Sequence, residues 1–193
     1  MLGQQYLSAT SVIRISFSDL YERSALVVEG EVSEVFSRLD PDNQQIWTHV
    51  RITTRDTLKG IDTPMLLLKF MGGTVGDLTQ RVTEMQYPAL GEHGVYFIES
   101  TTRLQIHPFV GWAQGHLKVH TSAQGEQLLH TAQGYPITNI DLNPRTTTIG
   151  MSSGVALGIQ YSRETTDAAP ISLDTFKTNL NFLRANDPTT IAQ

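Results

Sequence analysis

His116 and His120 stand four residues apart with Lys118 between them. On a strand all three share a face, a spacing compatible with two ligands to one metal ion. Zinc takes three or four protein ligands, and no Asp or Glu lies at a matching short spacing, so the plainer reading is a polar solvent face opposite Leu117 and Val119. His49, His93, His107 and His130 are scattered. Met151-Ser152-Ser153-Gly154 comes nearest to a nucleophile elbow but lacks its first Gly and a preceding strand, and reads as a flexible turn. Gly72-Gly73-Thr74-Val75-Gly76-Asp77 is Gly-rich without the Gly-Lys-Ser/Thr of a phosphate loop or the dinucleotide spacing; its glycines suit positive φ and a close strand crossing. Glu29, Glu31 and Glu34 have no partner acid in view and read as a solvated face. No catalytic constellation emerges, and no cofactor is implied.

Trp47 and Trp112 suggest contact rather than catalysis. If Ile46 and Val50 face inward, Trp47 faces out as a contact anchor, unless the C-terminal helix covers it. The candidate binding residues are Trp47, Gly72, Gly73, Asp77, His107, Phe109 and Trp112.

The elements that must carry these residues are mostly strands. Ala25 to Val35 begins as an apolar run and becomes alternating, with Gly30 placed for a bulge. Leu39-Asp40-Pro41-Asp42-Asn43 is a turn, and Ile46 to Thr54 alternates, so the two segments predict a long hairpin. Met65–Phe70 and Val95–Ile98 read as buried strands, with an aperiodic crossing loop from Thr74 to Leu90. Leu104–Ile106 and Trp112–Val119 predict another hairpin, and Gln127–Leu129 one more short strand. Val12–Ile15 is a further strand candidate. Ser16 or Ser18 caps a short helix through Phe17, Leu20 and Tyr21. Ser172 caps a second one, whose face is Leu173, Phe176, Leu180 and Leu183, with Ile171 stapled to Phe176 and Pro188 past its exit.

The expected fold is therefore mostly β: a small antiparallel OB-like barrel with a short N-terminal helix and a packed C-terminal helix. Residues 1–11 are expected to be a loose tail and 12–193 a single domain. Within that domain the barrel core spans 23–120, an irregular excursion 121–170 and the helix 172–185. The 193 residues are enough for one good core. A net charge of −5, with Arg51, Arg55, Lys59, Lys69 and Arg81 scattered, argues against a nucleic-acid backbone as partner. The absence of Cys removes disulfides, thiolate metal sites and Cys nucleophiles. No apolar run reaches the roughly 20 residues that span a bilayer.

Ser24-Ala25-Leu26-Val27-Val28-Glu29-Gly30-Glu31-Val32, Thr48-x-Val50, Leu58-Lys59-Gly60, Gly72-Gly73-x-x-Gly76, Pro88-x-Leu90-Gly91-Glu92 with Tyr96-Phe97, and Gly111-x-x-Gln114-Gly115 occur in that order. This string resembles a widespread set of uncharacterised exported bacterial proteins over about residues 12–120, plus the helix near 172–184. The resemblance implies a periplasmic or secreted location, with a leader peptide removed, and brings no activity. A more distant likeness is to the OB-type barrel of tissue inhibitors of metalloproteinases and netrin-like modules. Those inhibitors place an N-terminal Cys on the protease metal, a mechanism that a chain without Cys does not share.

The functional expectation is a non-catalytic exported domain that binds a protein partner or extracellular ligand, an extracytoplasmic protease being one such partner. The alternatives are a metal-dependent hydrolase using surface histidines, and an OB-type binder of single-stranded nucleic acid.

Overall fold

Strand-forming residues dominate the chain, and the computed structural model orders them as the periodicity predicts at its centre. It describes residues 6–7, 12–142, 144, 150–163 and 169–185. Pro188 lies outside these residues, as do 143, 145–149 and 164–168 of the expected excursion.

The elements in chain order are β1 (Tyr6–Leu7), α1 (Phe17–Arg23), β2 (Leu26–Leu39), β3 (Ile46–Lys59), β4 (Met65–Met71), β5 (Gly73–Val75), β6 (Leu78–Val82), β7 (His93–Ile98), β8 (His116–Thr121), β9 (Gln127–Thr131), β10 (Ile137–Ile140), β11 (Ile159–Tyr161) and α2 (Leu173–Ala185). A 3-10 turn, Trp112–Gly115, precedes β8. No described helix is long and apolar enough to cross a membrane.

The β2–β3 hairpin is the spine. Its turn is closed by Asx contacts, the Asp42 amide donating to Asp40 Oδ1 and the Gln45 amide to Asn43 Oδ1. Three register shifts bend the pair, one of them between Glu29 and Gly30. A Cβ on Gly30 would stand 2.6 Å from Ile52 Cγ2 and 2.7 Å from the Thr53 carbonyl oxygen. Backbone oxygen cannot step aside as a side chain would. Gly30→Ala is expected to cost about 1–3 kcal/mol; an unchanged denaturation midpoint would show that the hairpin yields here.

β7 and the first residues of β2 sit mid-sheet and are buried on both faces, which is why Leu26–Val28 and Val95–Ile98 are unbroken apolar runs. Val27, Val95 and Phe97 pack with Phe17, Leu20, Leu173, Phe176 and Leu180 of the two helices. Leu26, Val28, Val32, Tyr96 and Ile98 face the opposite way, onto Val50, Ile52, Leu68, Phe70 and Phe109. The first of these clusters draws on residues from Phe17 to Leu180.

The six large strands pair antiparallel in the order β4-β3-β2-β7-β8-β9, with β4 and β9 at the two ends. The sheet bends but is not closed into a barrel, because closure would require those two strands to pair. The expected loop over Thr74–Leu90 contains the β5–β6 hairpin, and Tyr6–Leu7 of the expected tail pairs parallel with β6. Strands this short leave no apolar period. The strand expected over Val12–Ile15 reduces to an isolated bridge, Ile13 to Met151. The hairpin expected around Pro108–Gly111 is instead a loop and the 3-10 turn, and β8 pairs with β7.

Both helices start where their caps lie. Ser16 Oγ accepts from the Asp19 amide at 3.0 Å, and Ser172 Oγ accepts from the Thr175 amide at 3.1 Å.

Candidate functional site

The two ends of the sheet are treated differently. The outer edge of β9 is covered: the Leu129 amide donates to Ile171 O and the Thr131 amide to Tyr135 O, with bridges from Leu128 to Ser172 and His130 to Pro136. Among the described residues β4 has such cover only at Met71. The Gly72 amide donates to Ile46 O and the Thr54 amide to Pro64 O, which sets the hydrogen-bonded phase of the β3–β4 ladder. Bonded and non-bonded pairs alternate, so Leu66, Leu68 and Phe70 turn their backbone groups to β3. Met65, Leu67, Lys69 and Met71 turn theirs outward. The Met71 amide is taken by Ile106 O at 2.9 Å. Among the described residues, no backbone bond outside the β3 ladder reaches Leu67 or Lys69.

Beside this open edge lies a groove of about 340 Å³, walled by Met65–Lys69 on one side and by Ser100–Gln105 with Pro108 on the other. Its rim is apolar: Met65 (52% exposed), Leu67 (49%) and Leu104 (64%) stand out, and Ile106 follows the wall. Gln105 contributes a buried Oε1 without a hydrogen-bond partner. Lys69 and Arg103 are both exposed along the walls, Arg103 at 3.7 Å from Glu99, so the lip is basic chiefly at Lys69 on a chain of net charge −5. An edge of unpaired amides and carbonyls beside apolar side chains is a template for one more strand.

The residues singled out from sequence lie differently. Trp47 is buried at 7% exposure, paired across β3 to Arg38 and Met71, and its Nε1 is buried without a partner. It is therefore no exposed anchor: Ile46 to Val50 are buried at every position, so both faces of β3 are covered here. Gly72 is buried, and Gly73 is held by the close approach of Ser37 and Thr48, where a Cβ would meet both hydroxyls. Their φ values of +94° and +133° belong to the crossing from β4 to β5. Asp77 is exposed at the tip of the β5–β6 hairpin. His107 and Phe109 belong to the interior, stacked among Phe70, Tyr96 and His116. Trp112 is half-buried, its indole 5.0 Å from the His107 ring. The structure thus gathers His107, Phe109 and Trp112, but as an aromatic stack.

The two histidines of the metal candidate do not meet at one site. His116 is buried and bonds Glu92 at 2.5 Å, while His120 is exposed and stacks on His130 at 4.1 Å. Among the described residues, no three His, Asp or Glu side chains converge as metal ligands. Burial alone would raise the Glu92 carboxyl; the His116 hydrogen bond and charge, with Lys118, hold it below its ordinary value.

Glu29 does not lie on the solvated face expected of it. It is buried, bonded to His93 at 2.8 Å and to Lys177 of α2 at 2.5 Å, and Lys177 also reaches Asp56 at 2.7 Å. Burial pushes its pKa up, but the hydrogen bonds of His93 and Lys177 outweigh this and hold it at about 2. A carboxylate directly after the apolar run Leu26–Val28 is the signal in the sequence, since a buried charge demands a partner.

No family model, curated protein or solved structure matches this chain.

Proposed function

We propose that this chain is a non-catalytic exported binding domain that recognises a protein partner by accepting an extended segment of it alongside β4. The observation that carries the reading is the unequal treatment of the two sheet edges, β9 covered and β4 open beside an apolar groove. Backbone pairing to Leu67 and Lys69 would supply affinity. Alternate side chains would fall on Met65, Leu67 and Leu104, and an acidic residue would suit Lys69 and Arg103. Placement outside the cytoplasm rests on the resemblance of residues 12–120 to exported proteins.

Leu67→Pro is the discriminating variant. Its amide points away from β3, so proline removes the donor a guest strand needs while leaving the β3 ladder whole. Randomised peptides of about ten residues, selected on the immobilised protein, should return alternating apolar sequences with an acidic residue. Leu67→Pro should weaken the selected peptides by about tenfold or more, with an unchanged unfolding midpoint. Selected peptides that bind this variant as well as the wild type would refute strand addition at β4.

A further inference from the structure

A second concavity, independent of β4, has a different chemistry. It is a cleft of about 300 Å³, at the small end of ligand pockets, and it is assembled from segments far apart in the chain. Its polar wall is Glu84, Gln86, Gln133, Ser152 and Ser153, and its aromatic member is Trp112.

Backbone strain is concentrated here. Among the described residues three non-glycine positions have positive φ, Gln44, Glu84 and Trp112, and two of the three line this cleft. Trp112 has φ +60°, a conformation that a bulky side chain rarely adopts and that costs about 1–3 kcal/mol. The surroundings hold it there. Its amide donates to Phe109 O, and Gly111 before it is also left-handed. Gln114 ties this turn to the N-terminal segment, its Nε2 donating to Gly111 O and Ile13 O while its Oε1 accepts from the Ile15 amide. The indole is laid on the His107 ring at a 20° interplanar angle. On the opposite wall Gly154 has φ +86°, and Gln133 Nε2 occupies the space its Cβ would fill. The Gly154 amide is spent on Ser152 Oγ.

We propose that this cleft binds a neutral sugar ring. Among the described residues no Lys or Arg lines it, and Glu84 brings a carboxyl group, so phosphate and carboxylate ligands are disfavoured. Two amides, two hydroxyls and a carboxylate supply donors and acceptors in the mixture that a ring of hydroxyl groups demands. An indole edge or face offers the apolar surface for the ring's C–H hydrogens, whose slight positive charge suits the negative π face. Among the described residues one aromatic ring lines it, too few for the cage that selects a quaternary ammonium.

The two tryptophans make the test internally controlled, because Trp47 is buried in the sheet and does not line the cleft. The full chain is titrated to about 10 mM with glucose, galactose and N-acetylglucosamine, and separately with inorganic phosphate and choline, while both indole N–H resonances are followed. The expected result is a saturable shift of the Trp112 signal with at least one sugar and a still Trp47 signal. Gln133→Ala should weaken that sugar by about fivefold or more at an unchanged unfolding midpoint. Trp112→Gly, which relieves the strained φ, should abolish binding while the protein stays folded. No saturable response to any sugar, an equal response to phosphate or choline, or parallel movement of both indoles would each overturn the proposal. So would full sugar affinity in both variants.

Discussion

Phe176→Ala should lower the unfolding free energy by about 3–5 kcal/mol, the usual cost of emptying a buried aromatic site. In a domain of this size that corresponds to a fall in Tm of roughly 6–20 °C. The side chain is fully buried and meets Phe17 edge-on at 6.0 Å and Phe97 edge-on at 6.4 Å. Through these contacts α2 is held to α1 and to the centre of the sheet, so the ring joins three elements at once. Its removal leaves a void bounded by strand backbone, which relaxes little. Phe182 on the same helix is 60% exposed, and its replacement by Ala should cost less than about 1 kcal/mol. Thermal or denaturant unfolding of the two variants checks the pair. A loss below about 1 kcal/mol for Phe176→Ala would mean that α2 is not anchored as described.

Acid should destabilise the protein over two overlapping ranges. His107 is buried among Phe70, Phe109 and Trp112, and burial, with the nearby His116 charge, pushes its pKa down to about 3 from an ordinary 6.5. Its Nδ1 accepts from the Phe109 amide, which requires that nitrogen to be unprotonated. Below 6.5 the unfolded chain takes up a proton that the folded chain refuses. The His107 contribution is therefore whole above that pH and is lost as pH falls toward 3, at about 1.4 kcal/mol per unit. Glu29 acts lower down: its folded value of about 2 against an ordinary 4.5 keeps its contribution whole above 4.5 and removes it between 4.5 and 2. Between about pH 7 and pH 5, His107 alone accounts for roughly 2 kcal/mol.

His107→Asn separates this component, because Asn Oδ1 can still accept from the Phe109 amide but takes up no proton. Denaturant unfolding at the two pH values should show the wild-type difference shrinking by about 2 kcal/mol in the variant. The remainder belongs in part to His49 and His130, which burial also shifts downward. An identical pH dependence in both proteins would show that His107 takes up its proton equally in the folded and the unfolded chain.

Local signals carried the elements. The β2–β3 hairpin follows from period-two alternation on either side of an Asp-Pro-Asp-Asn turn, and both helices begin at the serines that cap them. These features depend on residues within one or two turns of each other. The β5–β6 hairpin and β10–β11 ribbon escaped notice because strands of three to five residues show no period above that of a loop. The candidate site was only partly legible: the groove beside β4 appeared as an apolar strand, Met65–Phe70, with nothing to say that it ends a sheet. Trp47 misled for a related reason. Alternation says which face of a strand a residue takes, but not what covers that face.

What the sequence by itself determined about this protein is its β-rich class, its central hairpin, the two helix starts and the bend at Gly30. Each is set by local sterics and hydrogen bonding. Tertiary structure alone decided the strand order, the open sheet in place of a closed barrel, and the pairing of Glu29 with a lysine on the last helix. It also left β4 as the free edge and brought Trp112 beside Gln133 and Ser153. Those outcomes depend on which surfaces meet after the chain has folded back on itself, a quantity that no window of neighbouring residues contains.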